Sequence, residues 1–170
     1  MGVAILLGAL AALSGGEAHA QAAASTVPAS GSCTFGTGPN NTLTASFAPA
    51  LTSTNGGLSS VSGSSSCTTT LGTVTGSFNL SFSGFWACAG GEAAGAGQVA
   101  WSGSLPYYPS VAAVAIGTGN SMELLIYDLA GRFAASATLV WSSSAAIGQC
   151  ASGSGLASAQ LTGSLAFVSA

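Results

Sequence analysis

The sequence has almost no charge. Its 170 residues contain one Lys or Arg and four Asp or Glu, so charged residues make up 3% of the chain. The one strongly basic side chain is Arg132, and lysine is absent. Proteins bind nucleic acids and anionic membranes chiefly through Lys and Arg side chains near phosphates. The composition therefore excludes nucleic acid as a partner, and it excludes a membrane surface as a partner of the mature chain.

Apolar runs long enough to span a bilayer, which takes about 20 residues, are also missing. The one marked run, residues 3–13, is followed by a small-residue site at 18–20, which is the layout of a secretory signal cleaved before Gln21. No Lys or Arg precedes the run, so either the α-amino group supplies the positive charge or the true start codon lies upstream; we favour the second. We expect a signal peptide over 1–20 and a protein that is secreted, extracellular or cell-wall associated.

Cleavage at that site removes His19 and leaves a mature chain with neither histidine nor lysine. A serine nucleophile then has no ordinary base to activate it, and histidine cannot complete a zinc site. Three carboxylates remain. Glu92 falls in a Gly/Ala-rich segment that we expect to be a solvated loop. Glu123 and Asp128 are an odd number of residues apart on one strand, so their side chains point to opposite faces of the sheet. The sequence predicts no catalytic residue, no metal site and no cofactor, and a protein that is not an enzyme.

Four cysteines, Cys33, Cys67, Cys88 and Cys150, contain no Cys-x-x-Cys pair. In an exported chain an even number of cysteines indicates disulfides. Three pairings are possible from the sequence, and we favour Cys33–Cys67 with Cys88–Cys150. In the loop-entropy model each bond stabilises the fold by roughly 4 kcal/mol.

Helical patterns are absent after the signal, and a period of two replaces them. In GSFNLSFSGFWAC, residues 76–88, apolar or small side chains alternate with Ser and Asn, and similar segments surround Phe47, Trp101, Trp141 and Phe167. Such alternation is typical of strands covered on one face. With Gly- and Ser-rich turns it predicts an all-β fold, an antiparallel β-sandwich or small β-barrel of about seven to nine strands stapled by two disulfides.

The same pattern places the domain boundary and one turn. Residues 21–32 lack an apolar period and indicate a flexible leader, so a single β domain is expected over 33–170. The Ser/Gly stretch 59–66 is expected as a long surface loop or a poorly ordered edge. The tripeptide LAG predicts a three-residue hairpin loop that puts Asp128 opposite Arg132 in a structural ion pair.

The chain carries CTFGTG at residues 33–38, then LTASFAPALTST, a Trp-bearing strand QVAWSG, and a fourth cysteine before a final Gly-rich strand. This arrangement resembles a group of small exported four-cysteine proteins that are common in actinobacteria and functionally unassigned. The resemblance covers residues 33–168; it implies fold and export and supplies no catalytic residue. Members often carry Trp-x-Asp/Asn-Gly where this chain has Trp101-Ser102-Gly103. The composition is also similar to the neocarzinostatin-type chromophore-binding sandwiches, whose cysteine spacing differs.

Two tyrosines are the main candidates for an exposed binding surface. Tyr107 and Tyr108 lie between prolines in LPYYPS, where a ladder strand is not expected because proline lacks an N–H. On a stiff loop they would stack on sugar rings or anchor a protein partner. The alternative is that one of them folds back over the end of the core. Phe85 occupies a position of its strand where the alternation otherwise places polar, outward-facing residues, so it adds an exposed aromatic side chain. The three tryptophans occupy the apolar positions of their strands, which indicates that they lie in the core.

Three functions are consistent with an uncharged β domain. The first is a non-catalytic interaction or structural module at the cell envelope, which associates with itself or with a neutral cell-wall polymer. The chain has little charge to repel other copies, and no lysine protects its strand edges from pairing. The second is a small apolar-ligand carrier with a cleft between sheets. The third is a carbohydrate- or ice-binding surface on Tyr107, Tyr108 and threonine-rich strand faces. We favour the first.

Overall fold

The computed structural model describes residues 29–36, 38–103 and 105–169. The expected signal peptide, 1–20, and the first part of the expected leader, 21–28, lie outside the described residues. The described chain forms nine β-strands and one short helix, which confirms the all-β class. In chain order these are β1 (Ala29–Phe35), β2 (Thr42–Leu51), β3 (Leu58–Thr69), β4 (Gly72–Ala87), β5 (Gly90–Trp101), β6 (Tyr108–Thr118), β7 (Ser121–Tyr127), β8 (Phe133–Trp141), α1 (Ser144–Ala151) and β9 (Leu156–Ser169).

Eight of the strands close into an antiparallel barrel. From β2 to β9 each strand pairs with the next one along the chain, and β9 pairs back with β2. β1 lies in line with β2 in the gap between β3 and β9, so that Cys33 pairs with Cys67 on one side and with Leu165 on the other. Of the two architectures that the sequence left open, this closure selects the barrel.

Closure also removes the sheet edges on which strand addition would depend. β3 pairs with β1, β2 and β4, and β9 pairs with β1, β2 and β8, so the sheet returns on itself. A closed barrel presents no long row of unpaired backbone N–H and C=O groups to another chain. The expectation that lysine-free edges pair with further strands is therefore wrong for the described sheet.

The alternation of side chains separates an apolar interior from a solvent-facing wall. β8 buries every second residue and exposes those between, because successive strand residues point to opposite faces. An eight-strand barrel encloses a space that side chains just fill. Here aromatic rings fill one end: Phe167 stacks on Trp101 with ring centroids 4.4 Å apart, and Tyr108 stacks on Phe133 at 4.7 Å. The interior at this end is a packed core.

Both predicted disulfides are confirmed. Cys33–Cys67 joins directly paired residues of β1 and β3 and is fully buried. Cys88–Cys150 ties the chain just after β4 to α1. That helix was not predicted. It has only eight residues in a segment rich in Ser, Ala and Gly, and its few apolar residues do not form a recognisable helical pattern. No helix among the described residues is long and apolar enough to cross a membrane.

Three segments expected to be irregular belong to strands. Residues 29–32, assigned to the leader, are part of β1 and pair with β9. Residues 59–66, expected as a loop or edge, lie within β3, where Val61 is fully buried. Glu92 lies in β5 rather than in a loop. These segments are rich in Ser, Gly and Ala, which have little intrinsic strand preference, and pairing with neighbouring strands determines their conformation.

The β7–β8 hairpin differs from its expected register by one residue. Tyr127 pairs with the residue after Phe133, and the Asp128 N–H donates to the Phe133 carbonyl at 2.9 Å. Arg132 therefore lies inside the loop, next to Gly131, whose positive φ of 73° closes the turn. The expected ion pair is present within this loop, because Arg132 Nε donates to Asp128 Oδ2 at 2.9 Å.

Candidate functional site

The outer wall of β2, β3 and β4 is covered with uncharged polar side chains. The strand register aligns them in rows, so that Thr44, Ser62 and Asn79 lie side by side on adjacent strands about 4.8 Å apart. Hydroxyl and amide groups both donate and accept hydrogen bonds. We call this surface the hydroxyl face. Its members are Thr42, Thr44, Ser46, Ser60, Ser62, Ser64, Ser66, Ser77, Asn79 and Ser81.

The opposite side of the barrel, centred on β7, carries exposed apolar side chains around the exposed Glu123. The apolar face consists of side chains that are at least 39% exposed, namely Ile116, Leu125, Tyr127, Leu129, Val140 and Val168. β8 carries small residues between them, and a shallow depression of about 390 Å³ runs over Ala134 and Ser136 between Leu125 and Val168. An exposed apolar patch of this kind marks an interaction surface.

A polar groove lies on β4, β5 and β6, between these two faces. It is a shallow, widely open depression of about 500 Å³, larger than three other pockets on the described residues. No charged side chain lines it. The polar groove is lined by Asn79, Ser81, Ala96, Gly97, Gln98, Pro109 and Ser110.

Small residues and a β-bulge form the groove. Ala96 leaves the middle of the wall open because its side chain is only a methyl group. A Cβ at Gly97 would lie 2.0 Å from the Asn79 carbonyl oxygen, so glycine is needed for the close approach of β5 to β4. The β5–β6 register shifts between Gly97 and Val99, and this bulge accommodates Pro109. The expectation that no ladder strand runs through LPYYPS is wrong from Tyr108 onward, where β6 begins, whereas Tyr107 lies outside the strands.

The two candidate tyrosines have different environments. Tyr107 is 53% exposed, and its hydroxyl donates to Gln98 Oε1, which places this hydroxyl at the edge of the polar groove. Tyr108 is 1% exposed; its ring stacks on Phe133 and its hydroxyl lies 2.6 Å from Ser169 Oγ. Tyr108 therefore follows the alternative prediction from the sequence, in which one of the two tyrosines folds back over the end of the core. The structure thus removes Tyr108 from the exposed surface and leaves Tyr107 on it.

Phe85 is 58% exposed, as its parity predicts, but it lies away from the groove. It pairs with Glu92 of β5 and is six residues along β4 from Asn79, about 20 Å in an extended strand. The three candidates, Tyr107, Tyr108 and Phe85, therefore do not form one patch.

Charged groups contribute little to these surfaces. The hydrogen bond from Arg132 holds the pKa of Asp128 below its ordinary value of 3.8, against the opposing effect of burial. Glu92 and Glu123 are exposed and flank Ile116 on adjacent strands, about 10 Å apart, and neither lines a pocket described here. Among the described residues no group of three His, Cys, Asp or Glu is placed to hold a metal ion.

The tryptophans belong to the core. Trp86 and Trp141 are buried, Trp101 is half-buried, and none of them lines any of the four pockets. The indole Nε1 atoms of Trp86 and Trp101 are buried without a hydrogen-bond partner among the described residues. The apolar cleft expected behind the tryptophans for a ligand carrier is not one of these pockets.

Most of the groove was missed by sequence reasoning. Asn79 and Ser81 were recognised only as polar positions of a strand, and Ala96, Gln98 and Ser110 were not singled out. The available signal was a pair of amide side chains, Asn79 and Gln98, at outward parity in two consecutive strands. Their direct pairing across β4 and β5 depends on the register, which the sequence does not specify.

No family model matches the chain, and no curated protein sequence or solved structure matches it either. What its surfaces bind is therefore inferred from their geometry and chemistry alone.

Proposed function

We propose that the protein is a non-catalytic extracellular module that binds a neutral, hydroxyl-rich polymer of the cell-wall glycan type. The observation that carries this proposal is the continuous uncharged hydroxyl face on β2–β4, which leads into the polar groove on β4–β6. Hydroxyl and amide groups in rows match the donors and acceptors of a sugar chain. The barrel wall is curved, which suits a flexible polymer better than the flat surface of ice.

Charge supports a neutral rather than an acidic polymer. The described residues hold one basic side chain, Arg132, and its Nε is already engaged by Asp128. An acidic polysaccharide would require several free cations on the protein, since its attraction depends on charge neutralisation. A neutral glycan needs only hydrogen bonds and ring contacts.

A pull-down with the secreted, processed protein tests this proposal. Insoluble cellulose, chitin and β-1,3-glucan serve as neutral polymers, and calcium pectate serves as the acidic control. We expect at least one neutral polymer to retain the protein equally at low and high ionic strength, because no ion pair contributes. Retention by none of the neutral polymers, or salt-sensitive retention by pectate alone, would contradict the proposal.

Self-association is a second candidate, which the apolar face favours. A two-fold axis parallel to the strands, midway between β7 and β8, would place Leu125 of each copy over the depression at Ser136 of the other. The interface would then be isologous, as in most homodimers. Glu123 of one copy would face Thr138 of the second copy. The same axis would place the two Glu123 carboxylates on neighbouring strands across the interface, and their repulsion would oppose the apolar contacts.

Sedimentation velocity over a range of concentrations tests this second candidate. We expect the wild-type protein to dimerise as concentration rises and a Leu125→Ser/Val168→Ser variant to stay monomeric, because both side chains flank the depression. Phe85→Ser is the matched control, an equally exposed apolar residue outside the apolar face, and should dimerise like wild type. A wild-type protein that is monomeric at every concentration would rule the candidate out.

A further inference from the structure

We infer that the polar groove is a subsite for one pyranose ring of a neutral glycan, with Tyr107 as its stacking platform. This inference rests on the proposed function and locates the contact that recognises the sugar. The groove is shallow and uncharged, and its lining residue Gln98 accepts a hydrogen bond from the hydroxyl of the exposed Tyr107. That combination suits a ring with apolar C–H faces and a rim of hydroxyl groups.

The polar contacts come from two neighbouring strands. Asn79 and Gln98 are direct partners across β4 and β5, so their Cβ atoms lie about 5 Å apart on the same face. Each amide offers donors and an acceptor. Ser81 adds a hydroxyl opposite Ala96 on β4, and Ser110 adds another on β6, in the bulged stretch beside Gln98. Within the described part of the chain, the side chains of Asn79, Ser81 and Ser110 make no hydrogen bond to protein, so they are available to a ligand.

Tyr107 has two roles in this arrangement. Its hydroxyl donates to Gln98 Oε1, which fixes the Gln98 amide and holds the tyrosine ring at the rim. The engaged oxygen leaves the Gln98 Nε2 hydrogens as donors toward other groups. The exposed ring face supplies the apolar contact, so Tyr107→Phe should keep most of the binding whereas Tyr107→Ala should remove the platform.

The floor of the groove controls access. Ala96 is exposed on β5 and lines the groove, so a longer side chain there would occupy the space of the sugar ring while pointing away from the core. Ala157 gives a matched control. It is an exposed alanine on β9, which is four strands from β5 in either direction round the barrel, and it lines none of the four pockets.

Isothermal titration with hexamers of β-1,4-glucose, β-1,3-glucose and β-1,4-N-acetylglucosamine tests the subsite. For the hexamer that binds wild type, we expect Ala96→Leu to abolish detectable binding and Tyr107→Ala to weaken it about tenfold. Asn79→Ala should weaken it about fivefold, as the loss of one hydrogen bond does. Tyr107→Phe should stay within about threefold and Ala157→Leu should match wild type. Thermal unfolding of each variant verifies that it is folded.

The outcomes separate the subsite from the proposed function. If wild type binds a hexamer and Tyr107→Ala and Asn79→Ala bind it equally well, the groove is not the subsite, although the polymer-binding function stands. Should Ala96→Leu fail to fold, these two surface variants decide the question. If wild type binds none of the hexamers and none of the insoluble neutral polymers, the proposed function itself fails.

Discussion

A Phe167→Ala variant is expected to lose about 4 kcal/mol of unfolding free energy, which is a large share of the stability of a typical domain. Phe167 is 3% exposed and lies among the rings of Trp101 and Phe133, at centroid distances of 4.4 and 6.1 Å. Truncation therefore removes buried apolar surface and leaves a cavity between rings that cannot close freely. Denaturant unfolding followed by tryptophan fluorescence measures the loss.

Val168 is the matched control, because it is the next residue of β9 and is 57% exposed. Val168→Ala should change stability by less than about 1 kcal/mol, since it removes only exposed surface. The contrast between neighbouring residues tests the assignment of inside and outside on β9. Equal losses from both variants would contradict that assignment.

Replacing Cys33 and Cys67 together by alanine is expected to cost about 4 kcal/mol. The bond closes a loop across 34 residues of sequence, and its loss gives the unfolded chain more conformational entropy. Cys33 and Cys67 are also fully buried, so alanine leaves a small void at the place where β1 meets β3. Guanidinium unfolding of the double variant measures the effect.

The Cys88→Ala/Cys150→Ala variant is the comparison for this measurement. Its bond spans 62 residues, so the entropic loss is similar, but Cys88 is half-buried and α1 contacts the barrel mainly through β9. We expect this variant to lose no more than the first one and to keep the barrel register. A loss below about 1 kcal/mol in the Cys33/Cys67 variant would show that strand pairing alone holds β1 in place.

Side-chain parity could be read from the sequence because burial alternates along most of a one-sided strand. Phe78, Leu80 and Trp86 are buried in β4, and Phe85 is exposed, as the pattern of residues 76–88 predicted. The disulfide pairing was one of three possibilities and is confirmed. These features depend on local pattern or on a small number of combinations.

The strand register, the closure of the barrel and the polar groove depend on pairing between distant segments of the chain. The local sequence pattern gives little information about that pairing. Residues 59–66 carry so few large side chains that their place in the wall follows from β2 and β4 on either side. Tyr107 and Tyr108 are neighbours of one type, yet a bulge beside Pro109 and a space next to Phe133 decide which one is buried. No local rule distinguishes them before the barrel is closed.

The most direct test of neutral-glycan binding is a chemical-shift map of the processed protein titrated with the neutral hexamer that it binds most tightly. We predict that the largest shifts are confined to the outer face of β4, β5 and β6, including the side-chain amides of Asn79 and Gln98 and the ring of Tyr107. The indole signals of Trp86 and Trp141 should not move, because these rings are buried and line none of the pockets. Shifts centred on those indoles, or no shift with any neutral hexamer, would contradict a surface that recognises uncharged sugars.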